Sequence, residues 1–222
     1  VVGGTGCCAH LMASIHDFLA KCFCNKLILV GREKLDIDSD QCLEPASATI
    51  FLENLSENQT FATLLLAHGA GAAMDSAFMG AISKRLACHG FRVLRFEFPY
   101  MAARRSDGIR RPPNPQAVLL DCWRSAFQQV RLRYPGPLAI GGKSMGGRMA
   151  SMLADELGAD ALVCLGYPFH ALGKADKPRV AHLAGLHNRA LIVQGERDPM
   201  GNRATVEQYA LSPAIQLYWL EA

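Results

Sequence analysis

The sequence predicts an α/β fold, a mainly parallel sheet with helices on both faces. Three observations predict it. From about residue 48 onward, short strand-like runs alternate with helical patterns. The runs are short and mainly apolar, and Phe61–Ala67 is so without a break but for one threonine, as expected of a strand buried on both faces. Hydrophobic residues make up 50% of the chain and charged ones 19%, which excludes a disordered polypeptide. Crossovers between such parallel strands should be right-handed.

Phe61–Ala67 (FATLLLA) is the first buried strand and runs out into His68-Gly69-Ala70-Gly71. Asp75 to His89 reads as a helix, with Phe78, Ile82 and Leu86 at four-residue spacing and Gly90 as its stop. Phe91–Phe98 is the next strand, halted by Pro99. A basic loop, Arg104 to Pro113, precedes a helix from about Pro115 to Tyr134. Pro137–Gly142 is a strand leading to a helix over Met145 to Leu157, stopped by Gly158. The strand Ala161–Gly166 is followed by a Lys/Pro-rich connection through His170 and Pro178. Ala190–Gly195 is a strand, Asn202–Ala210 a short helix, and Ala214–Leu220 the last strand.

The 222 residues predict one domain with an appendage: residues 46–222 as the α/β domain and residues 1–45 as an N-terminal extension of no assignable structure. Gly3-Gly4-Thr5-Gly6 lacks the spacing and the preceding strand of a dinucleotide-binding turn, and a hairpin near Thr49–Glu53 could lead the domain. No apolar run approaches the roughly 20 residues of a membrane span, which predicts a soluble chain with no membrane partner. A net charge of +3 does not point to nucleic acid. The eight cysteines are spread over a chain large enough to need no bridges, and Cys22 and Cys24 are too close for a redox or zinc pair. With no secretory pattern at Val1-Val2-Gly3-Gly4, the expectation is a reduced, cytoplasmic protein. The first residue is not methionine, so the native N-terminus is expected to be missing or altered.

Gly142-Lys143-Ser144-Met145-Gly146 matches G-x-S-x-G, the strand-to-helix turn that exposes a nucleophilic serine. Chance alone yields the pattern in about one chain in ten of this length, so its weight comes from placement. A strand precedes it and Gly147-Arg148-Met149-Ala150-Ser151 opens a helix, whereas the P-loop spacing is absent. Such a turn aims the Met145 N–H at a substrate carbonyl oxygen, beside a helix N-terminus that favours negative charge. The Ala70 N–H is the candidate second donor of the oxyanion hole, with Gly71 as runner-up, and His68 is expected to orient that loop. In sites of this kind the acid follows the serine along the chain and the histidine comes last. Asp198, in Gly195-Glu196-Arg197-Asp198-Pro199, is the candidate acid and Glu196 the runner-up. No histidine follows Asp198. His170 and His187 are the nearest in sequence, and His170 is the candidate substitute base.

From about Ala62 to Ala222 the chain resembles a compact family of small bacterial α/β-hydrolase-fold proteins, similar to serine and dienelactone hydrolases. The resemblance rests on LLLAHGAGAAMDSAFM (64–79), FRVLRFEFPYMAARR (91–105), IGGKSMGGRMASMLADELG (140–158), VCLGYPFH (163–170) and IVQGERDPMG (192–201). It implies the α/β-hydrolase fold, a Ser144 nucleophile, an Asp198 acid and two oxyanion donors. It also implies a histidine just past the last strand and then a closing helix. Relative to that pattern the domain is expected to be C-terminally incomplete, the helix missing and the 222-residue chain impaired. The exposed face so left is expected to aggregate or form a homodimer.

Arg104, Arg105, Arg110 and Arg111 follow a strand on the edge of the site and are expected either to face solvent or to attract an acidic substrate. Glu97 is expected to pair with Arg148. The Tyr167–Pro178 connection is too short for a large lid, which disfavours long-chain fats. The function expected is a carboxylesterase-like serine hydrolase of a small ester or acyl compound, needing no metal or organic cofactor. A non-catalytic binding or scaffold protein is the alternative, and the gene beyond codon 222 would discriminate the two.

Overall fold

The computed structural model describes residues 5–27, 49–56 and 60–221. Seven strands form one sheet: β1 (Phe51–Asn54), β2 (Ala62–Ala67), β3 (Phe91–Phe96), β4 (Leu138–Lys143), β5 (Ala161–Leu165), β6 (Ala190–Gly195) and β7 (Ile215–Leu220). Their order is β1-β3-β2-β4-β5-β6-β7. Only β1 runs antiparallel, pairing Phe51 with Phe96 and Asn54 with Val93. The other five pairings are parallel. This is the α/β-hydrolase architecture, and the fold class expected from the sequence is the one found.

The helices are α1 (Thr5–Leu27), α2 (Ala77–Cys88), α3 (Pro99–Asp107), α4 (Gln116–Arg133), α5 (Met145–Leu153) and α6 (Arg203–Val206). Side-chain alternation along the strands splits the core in two. Leu65 and Ala67 of β2 face Trp123 and Phe127 of α4 and Met149 and Leu153 of α5. Leu64 and Leu66 face the other way, toward Met79, Ile82 and Leu86 of α2 and Ile15, Leu19 and Phe23 of α1. Gly141 in the middle of β4 lets β5 come close: a Cβ there would collide with the Val163 carbonyl.

Several boundaries differ from the expectation, each for a local reason. Pro99 does not merely end a strand; it is the first residue of α3, where its fixed φ suits a helix start and its missing N–H costs nothing. The expected basic loop therefore begins as a helix, and Arg104 and Arg105 sit in its last turn, before Gly108 at φ 75°. Phe78 is not on the buried face of α2; Met79, Ile82 and Leu86 are, and Phe78 is exposed. The short helix closes at Val206, with Asn202 accepting the Thr205 N–H at its N-terminus. Helix α5 ends at Leu153 and turns continue to Gly158. Within the N-terminal stretch for which the sequence suggested no element, α1 seats Met12, Ile15, Leu19 and Phe23 on the sheet. Gly3 and Gly4 lie outside the described residues. Near Thr49–Glu53 the chain forms strand β1 on β3, not a hairpin leading the domain.

Candidate active site

β4 and α5 meet at Ser144, whose φ of 49° and ψ of −116° make it the one non-glycine residue with positive φ among the described residues. The bend is held in place by its surroundings. The Ser144 N–H donates to the Leu165 carbonyl at the end of β5 (3.0 Å), and its carbonyl accepts the Arg148 N–H (3.0 Å). Both motif glycines are required by close approach. A Cβ on Gly146 would lie 2.5 Å from the Ala67 carbonyl oxygen and 2.6 Å from that of His68, and one on Gly142 would overlap the Ala67 carbonyl outright. These are main-chain atoms of β2 and its exit, which cannot swing aside. Ser144 stays partly exposed.

The exit of β2 lies directly against this bend: a Cβ on Gly69 would be 3.6 Å from the Ser144 Cβ. His68 is fully buried and holds the loop with both ring nitrogens. Nδ1 donates to the Gly69 carbonyl (2.7 Å) and Nε2 accepts the Phe98 N–H (3.1 Å), which fixes the neutral tautomer. Burial pushes its pKa down in the same direction. Neither nitrogen is left for proton transfer, and His68 is the loop-orienting residue that the sequence suggested. The Tyr100 hydroxyl adds a second anchor, donating to the Ala70 carbonyl at 3.0 Å and the Gly69 carbonyl at 3.5 Å. Its pKa is pushed up to about 12, chiefly by burial, so it remains a donor. In a trans peptide the N–H points opposite to the preceding carbonyl. With the Gly69 and Ala70 carbonyls drawn inward, the Ala70 and Gly71 N–H groups face out. Neither Ala70 N–H nor Met145 N–H finds an acceptor among the described residues.

β6 delivers the third loop. The Asp198 N–H donates to the Gly195 carbonyl (3.1 Å) and its Oδ1 accepts the Met200 N–H (2.8 Å). Oδ2 lies beside Gly166 at the exit of β5, 3.9 Å from where a Cβ would stand. Glu196 is spent elsewhere, paired with Arg203 at 2.8 Å. The buried Gln194 ties the two exits together: Oε1 accepts the Tyr167 N–H (2.6 Å), and Nε2 donates to the Tyr167 and Gly201 carbonyls (3.2 and 3.1 Å).

Ser144, Met145, Ala70 and Asp198 thus share one rim, the C-terminal ends of parallel strands. His170 touches the acid loop through its main chain, its N–H donating to the Met200 carbonyl (3.2 Å). His170 is buried, with Nδ1 on the Ala171 carbonyl (3.0 Å) and Nε2 unpartnered. His187 is exposed beside Asp155, and His182 bonds Ser151 (2.9 Å) and Tyr167 (3.2 Å). None of these hydrogen-bonds Ser144 or Asp198. The β7 end does reach the acid loop, since the Leu220 carbonyl accepts the Glu196 N–H (3.0 Å).

The expected Glu97–Arg148 pair is not formed. Arg105, in the last turn of α3, takes Glu97 with Nε and Nη2 (3.0 and 2.7 Å) and Asp75 with Nη1 (2.8 Å). Arg148 points along α5 toward the start of α4 and shares the Gln116 Oε1 at 3.3 Å. Sequence reasoning missed Tyr100, Gln194 and this Arg105 clamp. A cue for Tyr100 existed: a proline just past a strand is also a helix N1 signal, which would have placed Tyr100 in a first turn over the loop.

Residues 60–222 match the family model described as alpha/beta hydrolase domain. The chain belongs to that family. Among solved structures, a lidless a/b serine hydrolase from Xanthomonas campestris is similar with a TM-score of 0.59 and 19% identity, over 80% of this chain and 85% of that one. Dienelactone hydrolase from Anabaena variabilis gives 0.61 and 19%, over 77% and 79%. Est1E from Butyrivibrio proteoclasticus gives 0.58 and 13%, over 79% and 89%. The shared feature is the fold. This alpha/beta hydrolase domain has no lid among its described residues: between β5 and β6 the chain forms turns, an isolated bridge between Ala171 and Lys174, and one 3₁₀ segment, Ala181–Leu183. No helix of the described residues is long and apolar enough to cross a membrane.

Proposed function

We propose that this protein is a serine hydrolase of small esters or related acyl compounds, with Ser144 as the nucleophile. The observation that carries this reading is the positive-φ serine wedged between β4 and α5 against the β2 exit, with the Met145 and Ala70 N–H groups lacking an acceptor among the described residues. Ser144 Oγ attacks the substrate carbonyl carbon, and the Met145 and Ala70 N–H groups share the charge that develops on its oxygen. The alcohol leaves with a proton, an acyl-serine remains, and water releases the acid and restores Ser144. Asp198, with Oδ2 free beside Gly166, orients the base and stabilises its protonated form. The resemblance implies a histidine base just past β7, and the Leu220–Glu196 hydrogen bond brings that strand's end alongside the acid loop. With no described histidine hydrogen-bonded to Ser144 or Asp198, the 222-residue chain should turn over p-nitrophenyl acetate poorly.

The test is labelling of a version extended past residue 222 with an organophosphonate, read by mass spectrometry. An adduct on Ser144, lost in Ser144→Ala, supports the reading; turnover unchanged in Ser144→Ala overturns it. One observation favours a non-catalytic binding role instead: no histidine of the described chain hydrogen-bonds Ser144 or Asp198. An extended version that neither labels nor turns over would select that role.

A further inference from the structure

Next to the Ala70 loop the surface opens into a cavity of about 280 Å³, lined by Gly71, Ala72, Ala73, Asp75, Glu97, Met101, Arg104 and Arg105. At about 30 Å³ per water this holds a group the size of roughly nine waters, a short acyl chain and not a fatty one. Its charges are unevenly committed. Arg105 spends Nε, Nη1 and Nη2 on Glu97 and Asp75, and those carboxylates are turned to it. The Glu97 Oε1 also accepts the Met74 N–H (3.2 Å). Asp75 is held below the usual carboxylate range, first of all by its hydrogen bond to Arg105, and is ionised.

Arg104 differs from its neighbour. It sits half-buried in the last turn of α3, close enough to the Tyr100 hydroxyl to oppose the rise in that group's pKa, and it meets no carboxylate among the described residues. Arg111, further along, is spent on Asp107. One planar, always-charged fork of donors is thus left uncommitted in a cavity wall that starts one residue past Ala70.

We propose that Arg104 anchors a carboxylate on the substrate, so that the compound hydrolysed is a monoanionic ester of a short dicarboxylic or similarly acidic acyl compound. The inference rests on the hydrolytic reading of Ser144 for the ester and on the cavity alone for the carboxylate. Arg104 gives two parallel N–H donors to the two oxygens. Arg105 cancels one of the two fixed carboxylates, and a singly charged group can tolerate the other. A doubly charged phosphate would meet more repulsion than Arg104 offsets. The cavity begins at Gly71, the residue after the oxyanion donor Ala70.

The test begins with equilibrium binding to the full chain carrying Ser144→Ala, with monomethyl succinate as probe and methyl butyrate as its uncharged counterpart. Saturable binding of monomethyl succinate only, weakened about tenfold to a hundredfold by Arg104→Gln and partly restored by Arg104→Lys, is expected. No saturable binding, equal binding of both compounds, or indifference to Arg104→Gln overturns the proposal. Inorganic phosphate binding at least as tightly as monomethyl succinate would overturn the choice of a carboxylate. The second arm uses an extended version that hydrolyses esters. The ratio of kcat/KM for mono-4-nitrophenyl succinate to that for 4-nitrophenyl butyrate should fall at least tenfold in Arg104→Gln. Binding without any hydrolysis would sink the serine-hydrolase reading and leave the carboxylate site standing; hydrolysis with an unchanged ratio would do the reverse.

Discussion

A serine at φ 49° carries backbone strain of about 1–3 kcal/mol, which glycine would not. Ser144→Gly should therefore unfold at higher urea than Ser144→Ala while neither forms an organophosphonate adduct, a comparison that separates strain from reactivity at one position. Gln194 makes a complementary case. Its amide satisfies Tyr167 N–H, Tyr167 carbonyl and Gly201 carbonyl in the interior. Gln194→Leu strands these groups and should lower unfolding free energy by about 2–4 kcal/mol, measured in urea. The serine was legible in the sequence because its requirements are local: glycine two places either side, strand before, helix after. Gln194 was not, because its three partners come from loops brought together only by the fold. Asp198 fell between these cases. Its loop was legible from the strand before it, but what sets it apart from Glu196 is Arg203, seven residues downstream of Glu196, which pairs with the Glu196 Oε1.

The 3₁₀ segment between β5 and β6 leans on α5 through one histidine. His182 bonds Ser151 and Tyr167, and its pKa is lowered to about 4, by burial first and then by the Arg148 guanidinium. His68, on the β2 exit, is lowered as well. A histidine whose folded pKa lies below its unfolded value binds fewer protons when folded, so stability rises with pH across the interval. The stabilisation is complete above about pH 6.5 and is lost as the pH falls toward the folded values. Urea unfolding should show stability dropping between pH 7 and 4.5, with a shallower drop in His182→Asn. Elements were mostly legible as apolar runs, and their ends less so. Pro99 shows why: the same residue that cannot continue a strand is well suited to begin a helix, and only the residues after it decide between the two.

Two apolar layers, one on each side of a single sheet, make up the molecule, and α1 completes one of them. The sequence alone leaves the structure of residues 1–45 unassigned. A signal was present: Met12, Ile15, Leu19 and Phe23 recur at three- and four-residue spacing in a stretch free of glycine and proline. The glycines at 3, 4 and 6, which favour a turn, masked it. Ile15 and Leu19 are both wholly buried against strand residues such as Leu64 and Val93. Leu19→Ala should cost about 2–5 kcal/mol of stability, read by thermal and urea unfolding. A helix acting only as an appendage would cost almost nothing. The connection over the rim bears on the molecule at work. Among the described residues the β5–β6 connection holds turns, one isolated bridge and a 3₁₀ segment, with no element there that must swing aside, so for the proposed ester substrate an oil–water boundary should offer no advantage over dissolved molecules. Velocity on a short ester should follow one smooth saturation curve through its solubility limit, without the jump shown by enzymes that open at droplets.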